Sequence, residues 1–483
     1  MTSSDPLERR LHPASLVLFS FSAITQLLPL VVLGLLSGKA DFEEIGFWSL
    51  IAVAAVAMGS INYFCFRYRI DGEHISTRSG LLFRKQRQLR FAQVQNLSVV
   101  RSPLHRLLNL ALVRVESGSG VGDDVRLDGV TLKQVDELRE LIGGKQALGA
   151  EVTEASAPLL RLSVPELIRL GLISNRGMLV VAALFGFMMQ NGWGNRSREV
   201  FSTAEPLLLQ LKDAHLGWVG SVLLALAAFL LALIALRMLS VAMSIVQFYG
   251  FELSARHDRV IANYGLLTKI QAALKYERIQ QVLIDETLLH RAFAQSSVRA
   301  RSAALQAVNE GVQQLSWLAP VIPKARLEEL LKRVQPDIEW DAFNWQPIGS
   351  NALGLVLLVR GCLFSIVLAL ACVFLGVQAL WLLAVLPLLG WSAWVYVKRT
   401  RIHVSASSVA VFHGGFNQLT IVSRTPRIQA LRLRQSPLER QFGLASVDID
   451  VAGSLAGGTQ QLTLPLLETE RARELAARLL DGA

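Results

Sequence analysis

Arg427-Ile428-Gln429-Ala430-Leu431-Arg432-Leu433, followed two residues later by Ser436-Pro437-Leu438-Glu439-Arg440, has two further copies in this chain. The first copy reads Gln93-Val94-Gln95-Asn96-Leu97-Ser98-Val99, then Ser102-Pro103-Leu104-His105-Arg106. The second reads Arg278-Ile279-Gln280-Gln281-Val282-Leu283-Ile284, then Thr287-Leu288-Leu289-His290-Arg291. Each has an aliphatic residue before a glutamine, two more aliphatics, and then Ser/Thr-x-Leu-x-Arg. A glycine stands 15 residues before each glutamine: Gly80, Gly265 and Gly414. One such match carries little weight; three in register identify an internal triplication.

The residues around the motif read as short strands. Val94, Leu97 and Val99 do not alternate cleanly, which predicts a bulge or bend at the glutamine. Leu112 to Val115 and Val447 to Asp450 have strand character, with Val447 and Ile449 on one face. Gly80, Gly265 and Gly414 suit turns between strands, since glycine tolerates positive φ. Gly118, Gly120 and Gly122 mark a further hairpin. Helical patterns follow at Leu132 to Ile142, Lys324 to Val334 and Glu468 to Leu480. In the last, Leu475, Leu479 and Leu480 oppose Arg471, Arg473 and Glu474, an amphipathic arrangement. Each copy is therefore expected to be a small β-barrel or sandwich closed by a C-terminal helix.

The composition places these modules beside a membrane. Of 483 residues, 52% are hydrophobic and 18% charged, with a net charge of +10. Soluble domains average about 25% charged residues. Charge-free runs extend from Leu11 to Gly38, Ile45 to Phe66, Gly177 to Asn195, Leu216 to Leu236 and Gly361 to Val397. A span needs roughly 20 apolar residues. The last run has 37 residues, enough for two spans divided at Gly376-Val377-Gln378. The expectation is six transmembrane helices in three pairs, each followed by a mildly basic module. The units are transmembrane pair 1 (1–66), module 1 (67–146), linker and pair 2 (147–246), module 2 (247–334), linker and pair 3 (335–397) and module 3 (398–483). Lys and Arg flank the pairs: Arg9, Arg10, Arg67, Arg69, Arg176, Arg360, Lys398 and Arg399. The turn within pair 1 has one base and three acids. The positive-inside rule then puts both termini and all three modules in the cytoplasm.

These segments, with Pro426-Arg427-Ile428-Gln429 and Ser436 to Leu444 most of all, make the chain resemble the bacterial membrane-flanked pleckstrin-homology (PH) domain proteins of the YdbT type. The resemblance covers the spans as well. It implies a curved seven-stranded sheet capped by one helix for each module, and a general association with envelope functions. The second copy departs most, with Gln295 where the others have Leu110 and Leu444, and Ala300 where they have Val115 and Ile449.

No catalytic constellation is legible. Cys65, Cys362 and Cys372 lie in or beside spans and form no Cys-x-x-Cys pair. No His-Glu-x-x-His motif, phosphate-binding loop or nucleophile elbow occurs. Arg237 and Arg360 fall near span ends, where snorkelling accounts for them. His105, His290 and Glu439 share one repeat position and read as solvated surface. The candidate contacts are Gln95, Ser102 and Arg106, Gln280, Thr287 and Arg291, and Gln429, Ser436 and Arg440. Guanidinium suits phosphate or carboxylate, and equally a carbonyl that fixes a corner. No cofactor, metal or nucleic acid is implied. The function expected is a non-enzymatic membrane protein presenting PH-like modules for membrane-surface or protein interaction. Its partners would be the lipid bilayer, anionic headgroups, a small single-PH-domain membrane protein or a second copy of itself. The alternative is a subunit of an export or envelope-stress (antimicrobial-resistance) complex.

Overall fold

The computed structural model describes residues 9–22, 25, 42–71, 73–80, 84–91, 94–117, 125–143, 158–190, 218–256, 259–302, 317–451 and 462–481. The hairpin expected at Gly118–Gly122, much of the first span and the loop within pair 2 lie outside these residues.

Residues 15–22 are helical and pack on α1 (Phe42–Cys65) at Gly59, where a Cβ would stand 3.0 Å from the Phe19 carbonyl oxygen. Module 1 follows with β1 (Arg67–Ile70), β2 (His74–Ser79), β3 (Lys85–Arg90) and β4 (Val94–Arg101). It continues with α2 (Pro103–Leu107), β5 (Leu110–Ser117), β6 (Val125–Thr131) and α3 (Leu132–Gly143). After β7 (Leu160–Arg161) come α4 (Val164–Ile173), α5 (Arg176–Gln190) and α6 (Trp218–Phe248). Module 2 comprises β8 (Glu252–Arg256), β9 (Arg259–Tyr264), β10 (Lys269–Lys275), β11 (Ile279–Glu286), α7 (Leu288–Ala292), β12 (Gln295–Ser302), β13 (Trp317–Pro323) and α8 (Lys324–Val334). Then follow β14 (Gln346–Pro347), α9 (Ala352–Leu375) and α10 (Leu386–Arg399). Module 3 comprises β15 (Arg401–Val404), β16 (Ser408–Gly414), β17 (Gln418–Arg424), β18 (Ile428–Arg434), α11 (Pro437–Gln441), β19 (Leu444–Val451), β20 (Leu462–Glu468) and α12 (Thr469–Asp481).

The sheets do not stop at module boundaries. One seven-stranded sheet runs β6-β5-β4-β10-β9-β8-β7, and a second runs β13-β12-β11-β17-β16-β15-β14. Each joins the last three strands of one module to the first three of the next. Three-stranded sheets, β1-β2-β3 and β18-β19-β20, close the two ends of the array. The joints are antiparallel, with Ile270 opposite Val100 and Leu283 opposite Ile421. β11 is buried on both faces through Ile284, as expected of a strand inside a continuous sheet with cover on each side. Val282 and Ile284 enter the core of module 2, while Leu283 enters that of module 3.

Module 2 is well packed despite its departures. Ala300 is buried, and the core is enlarged by Phe248, Phe251, Tyr264 and Trp317. Phe248 meets Trp317 edge to face with ring centroids 6.0 Å apart. These aromatic side chains pack in the same core cluster as Ala300.

Among the described residues, two helical stretches are long and apolar enough to cross a bilayer, Val222–Phe248 and Ala352–Arg399. Six crossing helices in three pairs are not seen there. α5 has 15 residues, about 22 Å at 1.5 Å per residue, short of a core about 30 Å thick. In α6, Leu223, Phe229, Leu231 and Ile234 are all exposed, so its apolar surface is not spent on the protein core. The last stretch folds back on itself. Gly376 (φ +61°) ends α9, a 3₁₀ segment follows, and α10 returns so that Arg360 Nη1 donates to Ser392 Oγ at 2.6 Å. Arg237 does not snorkel freely. Its Nη1 donates to the carbonyls of Leu172 and Ser174 and caps the end of α4.

Candidate functional site

The repeated Ser/Thr of each motif is a helix cap. Ser102, Thr287 and Ser436 each accept from the backbone N–H three residues on, opening α2, α7 and α11. Position three is buried, not solvated: His105, His290 and Glu439 are 8%, 6% and 7% exposed. His290 Nδ1 accepts from the Thr287 N–H at 3.2 Å, and Glu439 Oε2 from the Ser436 N–H at 2.6 Å. The far side of each group is also held. His105 Nε2 lies 2.9 Å from Asp128 Oδ1, His290 Nε2 lies 2.8 Å from Ser297 Oγ, and Ser446 Oγ donates to Glu439 Oε1 at 2.8 Å. In modules 2 and 3 this is a capping box whose acceptor also ties the corner to the sheet; in module 1 His105 Nδ1 meets the Ser102 hydroxyl at 2.6 Å instead. The sequence missed its burial because His reads as polar. The shared Ser/Thr three residues earlier was the available signal.

Burial disfavours the charge on Asp128, but its hydrogen bond to His105 and the Arg126 charge outweigh that and hold its pKa below the ordinary carboxylate value. Burial pushes His290 below its ordinary value against the pull of Asp285 and Glu286.

The repeated glutamines mark β-bulges. The register shifts between Val94 and Asn96, between Ile279 and Gln281, and between Ile428 and Ala430. Gln95, Gln280 and Gln429 are thus the extra residues that turn each strand from one sheet toward the next. The Gln95 side chain lies outside the described residues, Gln280 is buried and Gln429 exposed. Gly80 and Gly265 adopt φ +96° and +111°. Gly414 is needed for another reason: a Cβ there would stand 2.1 Å from Arg399 Cβ.

The arginines reach between modules. Arg106 Nη1 donates to the Leu266 carbonyl at 3.3 Å, and Arg291 Nη2 to the Phe416 carbonyl at 3.0 Å. Both acceptors sit in the turn before the joining strand of the next module. Arg440 is exposed, and its side chain makes no hydrogen bond or ion pair to any of the described residues. The nine candidate residues therefore converge on no single pocket. They form three corners about 150–185 residues apart in the chain.

A cavity of about 450 Å³ lies elsewhere, between the first helices and the sheets of module 1. Phe19, Met58 and Phe66 give it an apolar wall, and Lys85, Arg87 and Arg126 a basic one. Thr77, Ser79 and Asn62 add hydrogen-bonding groups. Asp128 also lines the cavity and accepts from Arg126 Nη2 at 3.0 Å, and guanidinium has further donors to offer. These bases were not among the predicted residues. Their signal was Lys85-Gln86-Arg87-Gln88, where the sister strands read Ile270-Gln271-Ala272-Ala273 and Leu419-Thr420-Ile421-Val422.

Comparison with known proteins agrees with this architecture. Residues 17–146, 208–338 and 353–483 each match the family described as "Bacterial PH domain". The chain is similar to the UPF0699 transmembrane protein YdbT of Bacillus subtilis (strain 168), with 21% identity over 476 residues, covering 92% of this chain and 93% of the relative. No solved structure matches significantly. With three matched repeats spanning most of its length, this chain belongs to the bacterial PH domain family, in its YdbT-like form.

Proposed function

We propose that the chain is a non-enzymatic, multi-pass protein of the bacterial inner membrane, with six spans and its three PH-like modules held at the cytoplasmic surface. In this reading it is an interaction protein whose first module receives an anionic lipid. The single observation behind it is the cavity whose apolar wall comes from the membrane-proximal helices and whose basic wall comes from Lys85, Arg87 and Arg126. An acyl chain is matched to the first wall and a phosphate to the second. Tethering beside an anionic leaflet adds about 1 kcal/mol for each near-surface Lys or Arg.

The test is native mass spectrometry of the full chain from mild detergent, titrated with phosphatidylglycerol or phosphatidylcholine. Phosphatidylglycerol is expected to bind at least tenfold more tightly, and K85Q/R126Q to remove that preference. Equal retention of the two lipids by the unsubstituted protein would end the lipid reading.

A further inference from the structure

The two internal joints are built alike, and the chain carries the two halves of another. At the first joint Gln271 faces Val99 and Ile270 faces Val100; at the second, Thr420 faces Ile284 and Leu419 faces Asp285. Aligned through the repeat, these are one register. At each joint the motif arginine reaches the next module's turn, Arg106 to Leu266 and Arg291 to Phe416.

The same parts stand open at the ends. In module 3, among the described residues, β18 has β19 on one side and no strand on the other, and Arg440 is exposed beside it. In module 1, β3 has only β2 among the described residues. In the register of the internal joints, a second copy docking β3 on β18 would set Arg432 against Arg87 and Arg434 against Lys85. Their counterparts at the second joint are Leu283 against Ile421 and Asp285 against Leu419. Asp448 on β19 approaches Arg434 at 3.6 Å; β3 itself carries three bases and no acid. Like charges directly opposite weaken strand pairing, and charged edge strands are a known barrier to self-association.

We propose that β18 together with Arg440 is an open joint, which receives the third strand and preceding turn of a PH-like module from another polypeptide. That strand carries acidic or neutral side chains where this chain has Lys85 and Arg87. The main-chain ladder gives the affinity, and the charges facing Arg432 and Arg434 exclude this chain's own β3. The inference is independent of lipid binding in the cavity.

The experiment uses the full chain in detergent, sized by light scattering and mass photometry. K85E/R87E is the probe, since it gives the chain an acidic third strand. It is expected to associate head to tail at least tenfold more tightly than the unsubstituted protein, less so at high salt. R432E/R434E reverses the other edge, far from the cavity, and is expected to do the same. All four substitutions together restore repulsion and the original size. Arg440→Ala added to R432E/R434E weakens association severalfold, and a photo-crosslinker at Leu433 captures the strand around Gln86. The proposal is overturned if R432E/R434E, with unchanged circular dichroism, stays as monodisperse as the unsubstituted protein. It is overturned equally if the unsubstituted protein already self-associates with the Leu433-to-Gln86 crosslink.

Discussion

Leu283 of the second module and Ile421 of the third face each other across the β11–β17 joint, and each is 1% exposed. A strand of module 2 therefore contributes to the core of module 3. Leu283→Ala is expected to cost about 2–5 kcal/mol, the usual range for a buried leucine. The cost should appear in both modules. Hydrogen exchange should show loss of protection in β16 and β17 as well as in β11 and β12. Loss confined to module 2 would show that the modules fold as separate units.

Ala294 sits just past α7 at φ +50°, where module 1 has Asn109 (φ +53°) and module 3 has Gly443 (φ +67°). The left-handed conformation penalises a Cβ by roughly 1–2 kcal/mol, and glycine is the usual residue at this helix-end position. Ala294→Gly is expected to raise stability by about 0.5–1 kcal/mol. A thermal melt of the detergent-solubilised chain reads this as a higher midpoint. A lower midpoint would mean that the methyl group contributes more in packing than it costs in strain.

His290 should make module 2 sensitive to acid. Its folded pKa lies below the ordinary 6.5, with burial the largest cause. The unfolded chain therefore binds the proton more readily. Stability is fully present above about pH 6.5 and declines as pH falls below that value toward the folded pKa. His290→Gln keeps a hydrogen-bonding side chain without a proton to gain. It is expected to flatten the decline between about pH 6.5 and 5, as read by denaturant midpoints across that range. An unchanged slope would assign the decline to other groups.

The membrane topology has a direct test. With Cys65, Cys362 and Cys372 replaced by alanine, single cysteines at Gln86, Glu277 and Gln441 would report one module each. In spheroplasts all three are expected to resist a membrane-impermeant maleimide and to react after permeabilisation. Labelling of one module in intact spheroplasts would place it outside and break the paired-span topology.

How much of this could be read from the chain depended on whether the cause was local. The bulges were legible because Gln95, Gln280 and Gln429 interrupt an aliphatic pattern at fixed spacing. The closing helices were legible from amphipathic periodicity, and α3, α8 and α12 form where expected. The inter-module sheets were not anticipated, because pairing β4 with β10 depends on contacts distant in sequence. A trace of them was nonetheless present. Val282-Leu283-Ile284 is continuously apolar, whereas Leu431-Arg432-Leu433-Arg434 alternates, and only the first is buried on both faces. The arginines were read as ligand contacts or corner fasteners. Arg106 and Arg291 are fasteners, but between modules rather than within one. Apolar length identified the segments beside the bilayer, yet it carried no information on which helix meets which. The close approach of Gly171 to Val241, where a Cβ would stand 2.3 Å from the Val241 Cα, records one such meeting between α4 and α6.

The continuous sheets also constrain biogenesis. When β4 emerges during synthesis, its outer edge has no partner, because β10 lies beyond the whole of the second apolar pair. Module 1 must wait with an exposed strand while α5 and α6 are synthesised. The same delay recurs for β11, whose partner β17 follows the third apolar pair. Sheet completion thus waits on synthesis of the intervening apolar helices. A chain stalled between residues 101 and 269 would leave a hydrogen-bonding edge open to quality-control chaperones.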